Sequence, residues 1–236
     1  MSIFKREFLL FRKSTFLQSI SVLFLLIAGY TFNSFSFYYG KIESYVFIKG
    51  LTRLGILFIP LFTMNSIAKD KLTGELEIIM ASGMKPFHYV LGKFKFIQTQ
   101  FLVFTIFFLI FPWIYKVFGF VKTPVQLDLY LIALLGYFLI SSFYISLGVF
   151  ISSFNHYPAS AAGITLGMFL LCFFLETFPV FFPESGFSEV LKFLLPDIRV
   201  QNLLYGIITL SDIIYFSSFI ITFIFGANLV VKWKKY

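Results

Sequence analysis

Six apolar runs, each near the length of a bilayer-crossing helix, constrain this chain more than anything else in it. A hydrocarbon layer about 30 Å thick is crossed by roughly 20 residues of helix. The runs fall at about 16–39, 45–68, 96–117, 129–154, 158–181 and 213–231, the second carrying Lys49 and Arg53 in its early turns. Inside lipid, backbone groups must bond within their own helix or around a closed barrel. No period-two alternation recurs through these runs, which disfavours a barrel. The expected architecture is an all-α membrane protein: one domain over residues 1–236 with six transmembrane helices. Composition supports this, with 59% hydrophobic residues, 13% charged and 37 phenylalanines. Soluble domains are about 25% charged, and one soluble core of this length could not hide so many rings. The first run is longer than a signal-peptide core, and no small-x-small cleavage site follows it, so it reads as a retained helix.

Charge placement bears on orientation. Six spans put both ends of the chain on one side. If that side is cytoplasmic, the inner segments are 1–15, 69–95, 153–157 and 232–236, and they hold twelve of the nineteen basic residues. This bias predicts both termini inside. It also accounts for the net charge of +8 by the membrane interface rather than by nucleic acid. Cys172 is the single cysteine, and the two histidines, His88 and His156, are far apart. No internal disulfide, no multi-cysteine metal site and no His-rich site is therefore expected.

Within the first fifteen residues, Phe4, Phe8 and Phe11 share one helical face, with Lys5, Arg6, Arg12 and Lys13 around the other side. Two readings stay open: an interfacial helix lying in the headgroup layer, or a basic flank of the first span.

The longest inner loop, 68–93, contains a short helical pattern. Leu76, Ile79 and Met80 form an apolar stripe, Thr73 is placed to cap the start, and Glu75 and Glu77 fall in the first turn, where negative charge suits the helix dipole. Ser82-Gly83 ends it, and Pro86 is placed to begin a second short helix. Such a helix either docks a soluble partner by its acidic side or merely covers the span ends.

This loop resembles the signature of ABC type-2 export permeases. Asp70 stands at the acidic position, Gly74, Glu77 and Ser82 match, and Gly92-Lys93-Phe94 leads into the third span, while Glu75 replaces a usual threonine and Gly83 a usual proline. The junction Gly148-Val-Phe-Ile-Ser-Ser-Phe154 with Ala159-Ser-Ala-Ala-Gly163 resembles that family's span-four to span-five junction, and the stretch 206–216 with the ending 232–236 resembles its gliding-motility and Nos-type permeases. The resemblance implies a coupling helix seated on a separate ATPase, with Asp70, Gly74, Glu75, Glu77, Ser82, Gly92 and Lys93 in the coupling segment. It implies two permease chains, alike or different, above two ATPase copies that hold ATP and Mg. An extracytoplasmic accessory protein and a bacterial inner-membrane location complete the implied assembly. No Gly-x4-Gly-Lys-Ser/Thr phosphate loop occurs: residue 87 is phenylalanine, and Gly92-Lys93 is followed by Phe94. The chain is thus expected to be no enzyme and to bind no cofactor of its own.

Four further features carry two readings each. Ala159, Gly163 and Gly167 recur every four residues, a spacing that brings helices close, either within the chain or at a permease dimer face. Pro60 and Pro112 mark kinks, static or used in gating. Asn33, among Thr31, Ser34 and Ser36, and Glu176 in the fifth run either line a pathway or sit in the wet interface; an intramembrane carboxylate is a functional candidate by default. The segment 182–212 has amphipathic stretches at about 188–195 and 198–210, broken at Pro196-Asp197. Relatives carry short re-entrant external helices there; the other reading is a loop on the lipid surface. The sequence reads as the transmembrane subunit of an ATP-driven exporter, with lipids, polysaccharides, small amphiphiles and sulfur or copper species as cargo classes. The competing role is a membrane anchor for a gliding-type envelope machine without cargo.

Overall fold

The computed structural model describes residues 3–39, 44–117, 126–181 and 186–233. Within them all regular structure is helical: α1 Ile3–Lys13, α2 Thr15–Tyr39, α3 Ser44–Thr63, α4 Ala68–Leu72, α5 Glu75–Ala81, α6 Pro86–Phe108, α7 Ile110–Val117, α8 Leu127–Phe154, α9 Pro158–Phe181, α10 Gly186–Leu194, α11 Pro196–Arg199, α12 Gln201–Leu204 and α13 Leu210–Trp233. Six helices are long and apolar enough to cross a membrane, Thr15–Ser34, Tyr45–Leu72, Pro86–Ile114, Leu127–Phe154, Pro158–Pro179 and Leu210–Trp233. The protein is a multi-pass membrane protein with the expected six spans. The ending at 234–236 that carries part of the resemblance lies outside the described residues.

The fourth span, α8, is the hub. Its apolar window is 78% buried, against 17% for α9 and 22% for α2. Four of its buried serine hydroxyls are satisfied by the helix itself: Ser141, Ser142, Ser146 and Ser153 donate to carbonyls one turn back. Small residues let the neighbours close in. A methyl on Gly148 would lie 2.8 Å from Thr63 Cβ of α3, and one on Gly136 would lie 2.9 Å from Leu203 Cβ of α12. Where α2, α3 and α6 meet, rings do the packing. Phe24 has Phe58, Phe101, Phe104 and Phe108 around it at centroid distances of 5.2–6.2 Å, which adds edge and tilted contacts to the area it buries.

Several local expectations are corrected. Pro86 does not begin a separate short helix; it is the first residue of α6, and the third span starts about ten residues earlier than its apolar run. An N1 proline loses only an amide that had no helical partner, so helix growth continues through the polar residues that follow. The same span breaks at Leu109, three residues before Pro112. Proline cannot donate to the carbonyl of Phe108, and the Tyr130 hydroxyl of α8 donates to that oxygen instead, at 2.8 Å. The second run stops as a helix at Thr63 and resumes as α4, while Pro60 lies within α3.

α1 is a separate helix. Ser14 interrupts the chain and its hydroxyl accepts the Leu17 amide, starting α2. Between the fifth and sixth spans the break falls at Leu195, before Pro196. The second amphipathic stretch is two short helices that end at Leu204, with 205–209 non-helical.

Candidate functional site

The loop between α3 and α6 folds against α8 before it can present anything. Ser152 Oγ of α8 accepts the amides of Ile67 and Ala68 at 3.2 and 3.0 Å, which starts α4, and Lys71 Nζ donates to the Ser153 carbonyl. The chain then reverses at Gly74, whose φ of +71° belongs to the left-handed region that favours glycine. Gly74, not Thr73, is the N-cap of α5; the Thr73 hydroxyl donates back to Lys69 O, at 3.1 Å. Thr73 has been recruited to close the helix before it, an alternative partner that threonine takes readily.

Asp70 of α4 is the centre of a buried charge cluster. Its Oδ2 accepts from Lys93 Nζ of α6 at 2.7 Å, from the Tyr89 hydroxyl at 2.7 Å and from Arg6 of α1 at 3.1 Å. Lys93 also meets Glu7 at 2.9 Å, and Arg6 pairs with Glu7 and with Glu75. Lys93 is 2% exposed. Burial works most strongly on the Arg6 charge and against it, but the hydrogen bond to Asp70 and the attraction of Asp70 and Glu7 together outweigh it, so its pKa moves up. The cluster ties the N-terminal helix, the loop and the third span into one unit. Gly92 serves the same junction by packing: a methyl there would lie 2.7 Å from Ile3 Cβ of α1.

Above this anchor α5 shows a divided surface. Leu76 is fully buried, and Ile79 and Met80 pack on the core. Glu77, Ser82 and Gly83 are exposed, and Ile78 is 72% exposed with Leu72 and Phe87 exposed beside the helix. Of the seven residues assigned to coupling, Asp70 and Lys93 are therefore buried anchors, Gly74 is the turn, Gly92 is a close approach, and Glu75 is drawn into the cluster. Glu77 and Ser82 alone are fully presented. Arg6 is likewise an inward partner of Asp70, not a headgroup-facing cation. Sequence reading missed Arg6, Glu7, Tyr89 and Ser152 as members of this site. The one available signal was Glu7, an isolated acid in a basic helix, which needs a cation somewhere.

The remaining candidates lie elsewhere. Ala159 is exposed, and nothing stands within 4 Å of a methyl on Gly163 or Gly167; α9 packs inward through Ala161, Thr165 and Phe169 instead. The reading of that stripe as packing within the chain is thereby corrected. Asn33 is exposed on α2. Glu176 is held by Lys49 at 3.5 Å and Gln201 at 3.4 Å, with its side chain 13% exposed, rather than solvated at an interface. At that end Tyr144 donates to Asp197, and Asp212 accepts from Asn202 and Arg199. No group of His, Cys, Asp and Glu among the described residues is arranged to hold a metal ion.

No curated protein matches the chain. The pattern of the ABC-2 family transporter proteins matches residues 40–233, from before α3 to the last described residue of α13. A match over that length, on a six-span bundle with an anchored, partly exposed helix between the second and third spans, assigns this chain to the ABC-2 family of transporter proteins.

Proposed function

We propose that the chain is the permease subunit of an ATP-binding-cassette exporter, driven by a separate ATPase that docks on α5. The observation that carries this is the surface of α5: an exposed acid, Glu77, beside a 72% exposed Ile78, on a helix fixed beneath by Leu76 and the Asp70–Lys93 cluster. A rigid mount matters, because a displacement imposed on α5 passes to α1 and α6 only if the junction does not give. ATP and Mg are held by the partner, which supplies the difference in affinity between two states that any driven switch requires. Two permease chains, identical or not, stand over two ATPases, with both termini on the cytoplasmic side of a bacterial inner membrane. The alternative, an ATP-driven anchor for an extracytoplasmic machine, shares this docking surface.

The test is capture of the tagged chain from its native membrane after cross-linking, with mass spectrometry of bound proteins. The expected result is an ATPase in stoichiometric amount, reduced about tenfold or more by Glu77→Lys, a loss worth at least ~1.4 kcal/mol, with membrane-inserted chain unchanged. Unaltered capture with Glu77→Lys, or none from the cross-linked wild-type chain, would overturn the proposal. ATPase stimulation by cargo separates an exporter from an anchor.

A further inference from the structure

Arg53 is the one basic side chain on the interior stretch of α3 beyond Lys49, and its setting is unusual. It lies eight residues past Tyr45, the first residue of the second span, or about 12 Å at helical rise. Its guanidinium sits over the ring of Phe173, 5.6 Å from the centroid. Phe173 is six residues before the end of the fifth span at Pro179, on the antiparallel helix whose end lies beside the start of α3, so it stands about 9 Å deep. The charge is thus held below the interface over an aromatic ring instead of reaching the headgroups, as a long basic side chain near a helix end ordinarily does.

The residue is exposed on the bundle surface and makes no hydrogen bond or ion pair with the described residues. The carboxylates nearby are engaged elsewhere. Glu176 is taken by Lys49, one turn nearer the interface, and by Gln201. Asp197, buried behind with Tyr144 donating to it, lies near enough to feel the Arg53 charge but forms no ion pair with it. Directly past Arg53 the surface is apolar: Leu57 one turn deeper on α3, and Leu170 and Phe174 on α9, are all exposed. A guanidinium without an ion pair at membrane depth is costly and marks a site that meets water, a partner or an anion. Its planar fork suits phosphate or carboxylate oxygens, and stacking on an aromatic face leaves the N–H edge free to donate.

We propose that the α3–α9 face binds an anionic amphiphile, with its phosphate, sulfonate or carboxylate on Arg53 and its apolar body along Leu57, Leu170 and Phe174. That this ligand is cargo rests on the permease reading above; that it binds does not.

The test uses the full chain in a non-ionic maltoside detergent and three probes: dodecyl phosphate, dodecanol and inorganic phosphate. A charge-assisted contact should favour dodecyl phosphate over dodecanol by about tenfold or more, with inorganic phosphate far weaker because it has no apolar body. Arg53→Gln, which removes a charge from membrane depth while keeping most of the stem, should erase that preference and leave dodecanol binding unchanged. Phe173→Leu should weaken it several-fold, by loss of the stacking face. Lys95→Gln, an exposed cation at the other end of the bundle, should leave it intact. A wild-type chain without the preference, retention of it in Arg53→Gln, loss in Lys95→Gln, or equal binding of inorganic phosphate would each overturn the proposal. Capture of the ATPase is read separately, so failure of anion binding with capture intact rejects this site alone.

Discussion

Asp70 shows how one carboxylate can bind three parts of a chain. Three donors from α1 and α6 converge on its Oδ2, and the cost of burying the charge is met only while all of them are present. Replacing one partner of a buried pair leaves the other uncompensated, at about 3–5 kcal/mol. Lys93→Met is therefore expected to lower the thermal midpoint of the detergent-solubilised chain by several degrees. The double change Asp70→Asn with Lys93→Met should cost less than the two single changes together; strict additivity in that cycle would show that the pair is not coupled. A second residue-scale prediction concerns pH. Burial pushes the Asp197 carboxyl up to about 6, against 3.8 for the unperturbed group, and the hydrogen bond from Tyr144 only partly offsets it. The folded state thus favours the neutral acid: stability is fully present below about pH 4 and is lost as pH rises through about 6. Melting curves across that window should show the loss in the wild-type chain and not in Asp197→Asn.

Helices in this protein meet by two different devices, and they predict opposite outcomes for one kind of substitution. At Gly148 the α3–α8 contact is so close that an added methyl would lie 2.4–2.9 Å from all three Thr63 side-chain atoms. Overpacking of this type costs about 1–3 kcal/mol, so Gly148→Ala should destabilise the chain and loosen the Ser152 anchor of α4 nearby. At Gly163 of α9 the same methyl meets open space, and Gly163→Ala should leave the melting temperature unchanged or raise it slightly by improving helix propensity. Equal melting temperatures for the two alanine variants would contradict this account. Both glycines stand in helical, apolar surroundings, and their spacing alone does not tell them apart. The three-residue offset between the break at Leu109 and Pro112 follows the same lesson: proline removes a donor, and where the backbone yields depends on whether another group, here Tyr130, takes the freed carbonyl.

At the scale of the molecule, α8 is enclosed while α2, α9 and α13 expose most of their apolar windows, 22%, 17% and 22% being buried. Lipid covers such surface without further help. The outward stripe of Ala159, Gly163 and Gly167 differs in being small as well as apolar, and under the proposed pairing it faces the second chain. Gly163→Leu should then leave the melting behaviour of the single chain unaltered while shifting the native mass of the wild-type pair to that of one chain. An unshifted mass would place the contact elsewhere.

The sequence by itself determined the number of spans, the all-helical class and the position of the short helix with its buried Leu76 and exposed Glu77, because the length of an apolar run and the period of its pattern are local properties set against a bilayer of known thickness. Tertiary structure decided which charges are anchors and which are presented. Asp70 and Lys93 are 23 positions apart and Arg6 is 64 from Asp70, and no spacing rule relates them. Asp70 meets Lys93 only when α4 packs on α6, and Arg6 joins them only when α1 folds back on α6 through the close approach of Ile3 to Gly92. The same holds for Arg53, which reads in sequence as one of two basic residues in an early turn. Its lack of an ion pair follows from Lys49 reaching Glu176 on α9, a choice between two cations that only the packed helices make.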